Sequence, residues 1–360
     1  MMKSNKQFQE IVKRGRVKSD VLKHVNQGYQ VKFLLICLIT LSNLAHSQSC
    51  ENKGPNVILF TWDGVRPQEF FRGTDDFHRD SIQASERGEI FTSLWAKYAN
   101  EGMVFGEQNQ YKIASTIGVS LPSYQALMVG HANDCRNNQC GQIKEETFLE
   151  RIKKNLRLNL GDVAVFGSWE GMKNSVAQDS EQILEVIFPE IKDDKYLTPE
   201  IILLQKNAML DLPEWKESRK DKYTFEMALQ YLKNKCPRLL YISLVDSDEN
   251  GHLNDYSGYI KTLRTYDQYL EQIIKTLKTM GQYGSETTLF VTTDHSRGQA
   301  EKWMNHGSEE SDKNVFLYVR GRGVKPQGKT SAGATHAQIG PTIEFLMGLS
   351  PSAEILPGIR

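Results

Sequence analysis

Short runs of apolar and β-branched residues recur along the chain, separated by stretches with helical spacing. The apolar runs cover residues 56–62, 162–167, 237–245, 287–293 and 315–319. The clearest helical stretch, from about 257 to 280, places apolar residues three and four positions apart, at Leu263, Tyr266, Leu270, Ile273 and Leu277. Because apolar strands alternate with amphipathic helices, the pattern predicts an α/β fold, a mostly parallel central sheet with helices on both faces.

The first 47 residues follow a different pattern. Residues 1–32 hold eight Lys or Arg and two acids, a net charge of +6, and residues 33–41 form an apolar run interrupted only by Thr40. A membrane-spanning helix needs about 20 apolar residues, so this run is too short for a stable span. We predict a signal peptide with a long basic leader, cleaved after Ser47, and hence a periplasmic or secreted protein.

Two other interpretations of this segment remain open. The apolar run is also compatible with a buried helix of the folded domain. Cys50 suggests lipoprotein anchoring, but the position three residues upstream is Ser47 instead of the usual aliphatic residue.

Cleavage after Ser47 would leave four cysteines, Cys50, Cys135, Cys140 and Cys236. An even number in an exported chain permits two disulfides. Cys135 and Cys140 lie in one short polar loop, and we predict that they are bridged. The sequence leaves the full connectivity open.

Residues 48–360 are predicted to form one catalytic domain with inserts, because the sequence shows neither internal repeats nor a low-complexity linker. A charged insert at about 171–224 is expected to help form the substrate mouth. The whole chain has 44 basic and 44 acidic residues, so removing the +6 leader leaves 0 − 6 = −6 for the body. This mildly acidic body lacks the excess of positive charge that is typical of proteins with a nucleic-acid partner.

Acids and histidines follow three of the predicted strands and precede a fourth. They are Asp63, the segment 246–252, the pair Asp294-His295, and His306. One such residue alone is typical of a helix cap, a turn or a structural histidine. Because the carboxyl ends of parallel strands share one edge of a sheet, the whole set is expected to lie together.

Carboxylates and imidazoles in this proportion suit two divalent metal ions, with zinc favoured. A two-metal site clamps the attacking and leaving oxygens of a displacement at phosphorus. Ser120, in the segment GVSLPSY, is the candidate nucleophile. It also suits the start of a helix, and the two roles are compatible because a helix N-terminus attracts anions.

The ordered motifs resemble the alkaline phosphatase superfamily, on its type I phosphodiesterase and nucleotide pyrophosphatase side. The supporting segments are VILFTWDGVRPQEFF (57–71), VAVFGSWEGM (163–172), and TTLFVTTDHSRG followed by WMNHG. The resemblance implies a phosphoserine intermediate at Ser120 and a small-molecule phosphoric ester as substrate. It also implies one metal held by Asp63, Ser120, Asp294 and His295, and a second held by Asp248, His252 and His306.

The sequence departs from the family pattern at several positions. The spacing Asp, two residues, Gly, His favours Asp248 over Asp246 as the ligand. The phosphodiesterase branch usually has Thr as nucleophile and Asn three residues later, where this chain has Ser120 and Ser123. No arginine matches the phosphate-gripping arginine of alkaline phosphatases with certainty, and the candidates are Arg66, Arg136 and Arg297.

Related activities form the alternatives to phosphoester hydrolysis. A sulfatase shares the fold, but Tyr124 stands where the type I sulfatase motif (Cys or Ser, any residue, Pro, any residue, Arg) has arginine. A phosphonate ester hydrolase of the same superfamily also remains open, as does the choice between phosphomonoesterase and phosphodiesterase. A non-catalytic metal- or glycan-binding relative is disfavoured because every ligand and the nucleophile are present.

Overall fold

The computed structural model describes Cys50 and residues 54–78, 84–192 and 194–360. The predicted signal peptide, residues 1–47, lies outside these residues. The part from Cys50 to Arg360 forms one unit. Within the described part, no helix has both the length and the apolar character to cross a membrane.

An eight-stranded sheet in the order β5-β4-β6-β1-β7-β8-β2-β9 forms the centre, and β3 pairs with β10 in a small second sheet. Neighbouring strands in the large sheet are parallel, except that β8 is antiparallel to both β7 and β2. The predicted fold class is therefore confirmed. The strands are β1 (Asn56–Trp62), β2 (Gly102–Phe105), β3 (Tyr111–Lys112), β4 (Val163–Gly167), β5 (Leu184–Ile187), β6 (Leu239–Leu244), β7 (Thr287–Thr292), β8 (Leu317–Gly321), β9 (Gly328–Lys329) and β10 (Ala334–Thr335).

The helices connect these strands, with short 3-10 and π turns between them. The α-helices are α1 (Pro67–Phe71), α2 (Arg87–Ile90), α3 (Ser120–Val129), α4 (Phe148–Asn155), α5 (Lys173–Val176), α6 (Pro199–Leu210), α7 (Asp221–Lys235), α8 (Asp246–His252), α9 (Tyr256–Thr279), α10 (Gly281–Ser285) and α11 (Ile339–Leu346). The predicted insert, 171–224, contains α5, β5 and α6 and so contributes a strand to the sheet.

The central strand β1 shows why the apolar runs are continuous. Ile58, Phe60 and Trp62 point into a core shared with α7 and α9. Val57 and Leu59 point into a second core shared with α3, α4 and α11. Because side chains alternate between two buried faces, a strand covered on both sides has a nearly continuous run of apolar residues.

Helix α9 matches its predicted spacing closely. The five apolar residues named for it are all buried. Its start is set by Asp255, whose side chain accepts a hydrogen bond of 2.8 Å from the Gly258 amide. The apolar stripe thus fixes which face of the helix packs on the sheet.

The reversed direction of β8 has a consequence for the polar residues that precede it. Leu317, at the start of β8, pairs with Thr292, at the end of β7. The loop before β8 therefore arrives at the same edge as the carboxyl ends of β1, β6 and β7. A histidine in this loop therefore lies near residues that follow β1, β6 and β7, although it precedes β8.

Within the described part of the chain there are two disulfides, Cys50–Cys236 and Cys135–Cys140, with Cα–Cα distances of 5.8 and 5.6 Å. The second is the predicted short bridge. The first joins the start of the described chain to the end of α7, across 186 residues.

The two disulfides should differ in their effect on stability. Loop-closure entropy predicts a loss of about 5 kcal/mol in unfolding free energy for the pair Cys50→Ser with Cys236→Ser, and about 2 kcal/mol for Cys135→Ser with Cys140→Ser. Denaturant unfolding of the oxidised protein and the two double variants measures both losses. An equal or reversed order would contradict the prediction.

Candidate metal centre

Two buried carboxylates lie side by side at the carboxyl edge of the sheet. Asp63 directly follows β1, and Asp294 follows β7. Asp63 Oδ1 and Asp294 Oδ2 each lie 3.4 Å from His295 Nε2. Neither oxygen accepts a hydrogen bond from any described residue.

The second oxygen of each carboxylate is held by the protein. The Tyr124 hydroxyl donates to Asp63 Oδ2 at 3.0 Å, and the Gly64 amide donates to Asp294 Oδ1 at 3.2 Å. Each carboxylate is thus fixed by one oxygen and presents the other to His295. Two unpartnered buried oxygens beside an imidazole nitrogen fit a bound cation.

A second group of ligands forms beside the first. Asp248 and His252 lie one turn apart on α8, with His252 Nε2 3.0 Å from Asp248 Oδ2. His306, from the loop before β8, places its Nε2 3.1 Å from His252 Nε2. Two ring nitrogens and a carboxylate oxygen therefore converge on one point.

The hydrogen bonds of the histidines fix their tautomers. His295 Nδ1 lies 2.8 Å from the Ser296 carbonyl, and His306 Nδ1 lies 2.9 Å from the Gly118 carbonyl. Because a carbonyl can only accept, each Nδ1 carries the proton and each Nε2 presents a lone pair. This is the arrangement by which proteins orient metal-binding imidazoles.

Burial dominates the electrostatics of the carboxylates. Burial, and then the charges of Asp294 and Asp248, raise the pKa of Asp63 well above its usual value. Burial, followed by Asp248, raises the pKa of Asp294 to about 8. Burial also disfavours ionised Asp248, but the Arg297 guanidinium and then His306 hold the pKa of Asp248 well below its usual range. Asp63 and Asp294 therefore lack the neighbouring positive charge that Arg297 provides to Asp248.

Burial disfavours the charged form of the imidazoles of His295 and His306. Burial, and then His306, lower the pKa of His295 well below its ordinary value. Burial likewise lowers the pKa of His306. Neutral rings with free Nε2 lone pairs are the form that binds zinc-type metals.

The structure brings all seven predicted site residues together. The ligand atoms form two groups, each within 4.8 Å, that share His295: Asp63, Asp294 and His295, and Asp248, His295 and His306. His252 adjoins the second group through its 3.0 and 3.1 Å contacts. The Asp and His side chains of these groups could therefore hold divalent metal.

Ser120 is the first residue of α3 and lies between the groups. Its Oγ is 3.1 Å from His295 Nε2, and the residue is buried. The preceding Val119 is the N-cap and has no side-chain acceptor, and the Leu121 amide donates instead to Asn138 Oδ1. The partial positive charge of the helix N-terminus favours an anion beside Ser120.

The arginine candidates are already engaged. Arg297 is buried, and its guanidinium donates to Asp248 Oδ1 and to the carbonyls of Trp303 and Met304. Arg66 pairs with Glu69 and Asp75. The exposed Arg136 donates to backbone carbonyls of its own loop. Arg297 thus orients a predicted ligand, a role that its place in the DHSRG motif did not reveal.

Two glycines in the motifs allow close approach at this site. Gly64 has φ +67°, and a Cβ on it would collide with the Asp248 carboxylate. A Cβ on Gly251 would collide with the Arg297 guanidinium. The glycines next to Asp63 and His252 therefore permit the packing of the ligand loops.

A cavity of about 50 Å³ opens over the candidate nucleophile. Its wall includes two residues of the predicted insert, Trp215 and Glu217, and the Trp215 ring stacks on His252. Asn138 and Trp169 also line it, and sequence reasoning did not select them or the Asp63 partner Tyr124. A larger cavity of about 300 Å³ lies at the opposite end of β7 and contains none of the predicted ligands.

Comparison with known proteins matches the second half of the chain to an established enzyme family. Residues 197–351 match the family described as the metalloenzyme superfamily. The phosphopentomutase of Kosmotoga olearia is 32% identical over 127 residues, which is 35% of this chain and 30% of that protein. The chain thus covers about 30% of the length of the curated relative.

Solved structures share the fold across most of the chain. A 2-O GAG sulfatase superposes with a TM-score of 0.55 and 14% identity, covering 84% of this chain and 72% of that one. The phosphonate monoester hydrolase of Silicibacter pomeroyi gives 0.54 and 13%, covering 82% and 73%. A Vibrio parahaemolyticus protein of the alkaline phosphatase superfamily gives 0.52 and 10%, covering 82% and 67%. Residues 197–351 of the chain therefore match the metalloenzyme superfamily, and the chain has the fold of these solved structures.

Proposed function

We propose that the protein is an exported, two-metal hydrolase of phosphoric esters that acts through a phosphoserine at Ser120. The observation that carries this proposal is the position of Ser120. Its hydroxyl lies 3.1 Å from His295 Nε2, at the N-terminus of α3 and in a cavity lined by residues of both ligand groups.

The chain's own residues would hold two divalent ions, with zinc favoured by the nitrogen and oxygen donors. When bound, the ions supply Lewis-acid stabilisation of negative charge on the serine and phosphoryl oxygens. The proposed ligands of one ion are Asp63, Ser120, Asp294 and His295, and those of the other are Asp248, His252 and His306.

Ser120 performs the first displacement in this scheme. The Ser120 hydroxyl loses its proton to solvent and Oγ forms a bond to phosphorus, while the bond from phosphorus to the ester oxygen breaks and that oxygen leaves with the organic group and takes up a proton from solvent. Water then loses a proton and attacks phosphorus, and the bond to Oγ breaks to release the phosphoryl product as Oγ regains a proton. The N-terminus of α3 favours the negative charge of the phosphoserine between the two steps.

The expected substrate is a small-molecule phosphoric ester. The cavity at Ser120 is small, about 50 Å³, and Trp169 and Trp215 are among the residues that line it, so only the reacting group needs to enter. These aromatic side chains offer apolar contact to an organic group.

A phosphomutase is the second candidate, favoured by the 127-residue match to phosphopentomutase. A mutase returns the phosphoryl group to another oxygen of the sugar, whereas a hydrolase gives it to water. The sulfatase alternative rests on the shared fold. Against it, Tyr124 occupies the arginine position of the sulfatase motif and donates to Asp63.

Two disulfides support export, because such bonds persist in oxidising compartments. The pairing of Cys50 with Cys236 favours a periplasmic or secreted protein over lipid anchoring at Cys50. One sulfur atom cannot form both the disulfide and a thioether to lipid.

Substitution of the nucleophile tests the reaction. Ser120→Ala removes the attacking oxygen and should reduce phosphoesterase turnover by about 10³-fold or more, whereas Ser120→Thr keeps a hydroxyl and should retain much more. The measurement is turnover of nitrophenyl phosphate, bis-nitrophenyl phosphate, phenylphosphonate and nitrophenyl sulfate by zinc-loaded protein, with a pentose 1-phosphate assay for mutase activity.

Ser123→Ala is the matched control, since Ser123 lies on the same helix but is buried and donates to the Ile117 carbonyl. Its turnover should stay close to wild type. Faster sulfate than phosphate hydrolysis, or undiminished turnover by Ser120→Ala, would overturn the proposal.

Asp294→Asn should stabilise the metal-free protein at high pH. Because the pKa of Asp294 rises from 3.8 to about 8 on folding, its ionisation destabilises the folded state as pH rises through this window. At pH 9 with chelator, the variant should unfold at a higher temperature than wild type, while added Zn²⁺ should stabilise it less. The exposed Asp134→Asn serves as control, and equal gains from both variants would refute the explanation.

Export is tested by the protein recovered from its native host. The mature chain should begin at or near Gln48 and carry a Cys50–Cys236 cross-linked peptide. Intact mass and non-reducing peptide mapping measure both. Recovery of the chain from Met1 in the cytoplasm, or of lipid on Cys50, would be evidence against the proposed processing.

A further inference from the structure

The two groups of candidate ligands reach the sheet edge on separate elements. Asp63 follows β1, whereas Asp248 and His252 belong to α8, which begins just after β6. Two ions that act on one phosphoryl group need to lie about 4 Å apart. The structure must therefore fix the position of α8 relative to the residue that follows β1.

A buried carboxylate, Asp221, holds the start of α8. Asp221 is the first residue of α7 and is 1% exposed. Its Oδ1 accepts a hydrogen bond of 2.9 Å from the Val245 amide, and its Oδ2 accepts one of 2.7 Å from the Asp246 amide. The Asp246 carboxylate in turn accepts from the Asp221 amide at 3.2 Å. These reciprocal bonds join the first turn of α7 to the first turn of α8.

The hydroxyl of Tyr266, on α9, extends this contact toward the other ligand group. Tyr266 is buried, and its hydroxyl donates to Asp221 Oδ2. The same hydroxyl oxygen accepts a 3.2 Å hydrogen bond from the amide of Ser247, the second residue of α8. The Ser247 hydroxyl then donates to the Asp63 carbonyl at 2.5 Å. The hydrogen bonds therefore run from Asp221 through Tyr266 and Ser247 to the backbone of a candidate ligand.

The direction of each hydrogen bond in this chain follows from its chemistry. An amide N–H can only donate, so the Tyr266 oxygen accepts from Ser247 and uses its own proton for Asp221. A carbonyl oxygen can only accept, so the proton between Ser247 and Asp63 belongs to the serine hydroxyl. All four residues are buried, and removing one member therefore leaves a buried partner without its hydrogen bond.

We infer that Asp221, Tyr266 and Ser247 form a bridge of positioning residues that sets the separation of the two candidate metal groups. Ser247 precedes the candidate ligand Asp248 and also holds the carbonyl of Asp63. A shift of α8 relative to β1 would move the ligands of one ion away from those of the other. The inference rests on the two-metal centre of the proposed function, and the bridge acts through the ligands without touching the substrate.

Tyr266→Phe tests the bridge, because it removes one oxygen and keeps the ring that packs against Trp62. The variant should bind the less tightly held of two Zn²⁺ ions about 10-fold more weakly, at the lower end of the range for groups that orient metal ligands. Competition with a chromophoric zinc chelator measures this affinity without turnover. An unchanged zinc affinity would overturn the inference.

Tyr283→Phe is the matched control. The Tyr283 hydroxyl is also on a buried residue, and it donates to the Pro237 carbonyl, before the start of β6 and at the opposite end of that strand from α8. Each variant loses one tyrosine hydroxyl, so both should be less stable than wild type. Only Tyr266→Phe should lose zinc affinity, and equal zinc affinities in the two variants would refute the positioning role.

A double-mutant cycle tests whether Tyr266 and Ser247 act together. Ser247→Ala removes the hydroxyl that holds the Asp63 carbonyl but keeps the amide that donates to Tyr266. If the two residues belong to one bridge, the double variant should weaken zinc binding by clearly less than the product of the two single effects. Single effects that multiply would contradict the bridge.

Ester hydrolysis distinguishes a failure of this inference from a failure of the proposed function. Wild-type protein that binds two Zn²⁺ ions, and loses affinity in Tyr266→Phe, but hydrolyses no phosphoric ester would refute the proposed function and leave the bridge standing. Wild-type protein that hydrolyses nitrophenyl phosphate, with unchanged zinc affinity in Tyr266→Phe, would refute the bridge and leave the proposed function standing.

Discussion

Three buried carboxylates lie at one edge of the sheet, and the surrounding structure must compensate their negative charges. Two unit charges about 4 Å apart repel by roughly 4 kcal/mol at the effective dielectric of a protein. Asp248 is compensated by the guanidinium of Arg297. Among the described residues, Asp63 and Asp294 have no such guanidinium partner, and burial, followed by the neighbouring carboxylates, raises the pKa of each. The folded protein must therefore take up protons or cations at this edge, which is why the same arrangement that costs stability can bind metal.

The directions of the strands bring these charged side chains to one edge of the sheet. β1 and β7 are adjacent and parallel, so the acids that follow them arrive together. Asp248 comes from the other neighbour of β1, after β6. The antiparallel β8 then returns its preceding loop to the same place and delivers His306. A wholly parallel arrangement would carry that loop to the far edge.

Much of this arrangement could be predicted from sequence, because its causes are local. Continuous apolar runs mark strands buried on both faces, and Asp63 and Asp294 are recognisable as acids directly beyond two such runs. The partners of these acids were not predictable. Tyr124 reads as a helix residue and Arg297 as a polar loop residue, since their roles depend on contacts with Asp63 and Asp248 far away in the chain. Asn138 lies in a polar loop whose composition indicates only a turn.

The helix that carries Ser120 links stability to chemistry. A helix start normally satisfies its first amides with a Ser, Thr, Asp or Asn cap, and Val119 cannot do so. The Leu121 amide instead receives its acceptor from Asn138, 17 residues away. Capping from a distant, disulfide-closed loop satisfies the amide from the side and leaves the nucleophile open to the cavity.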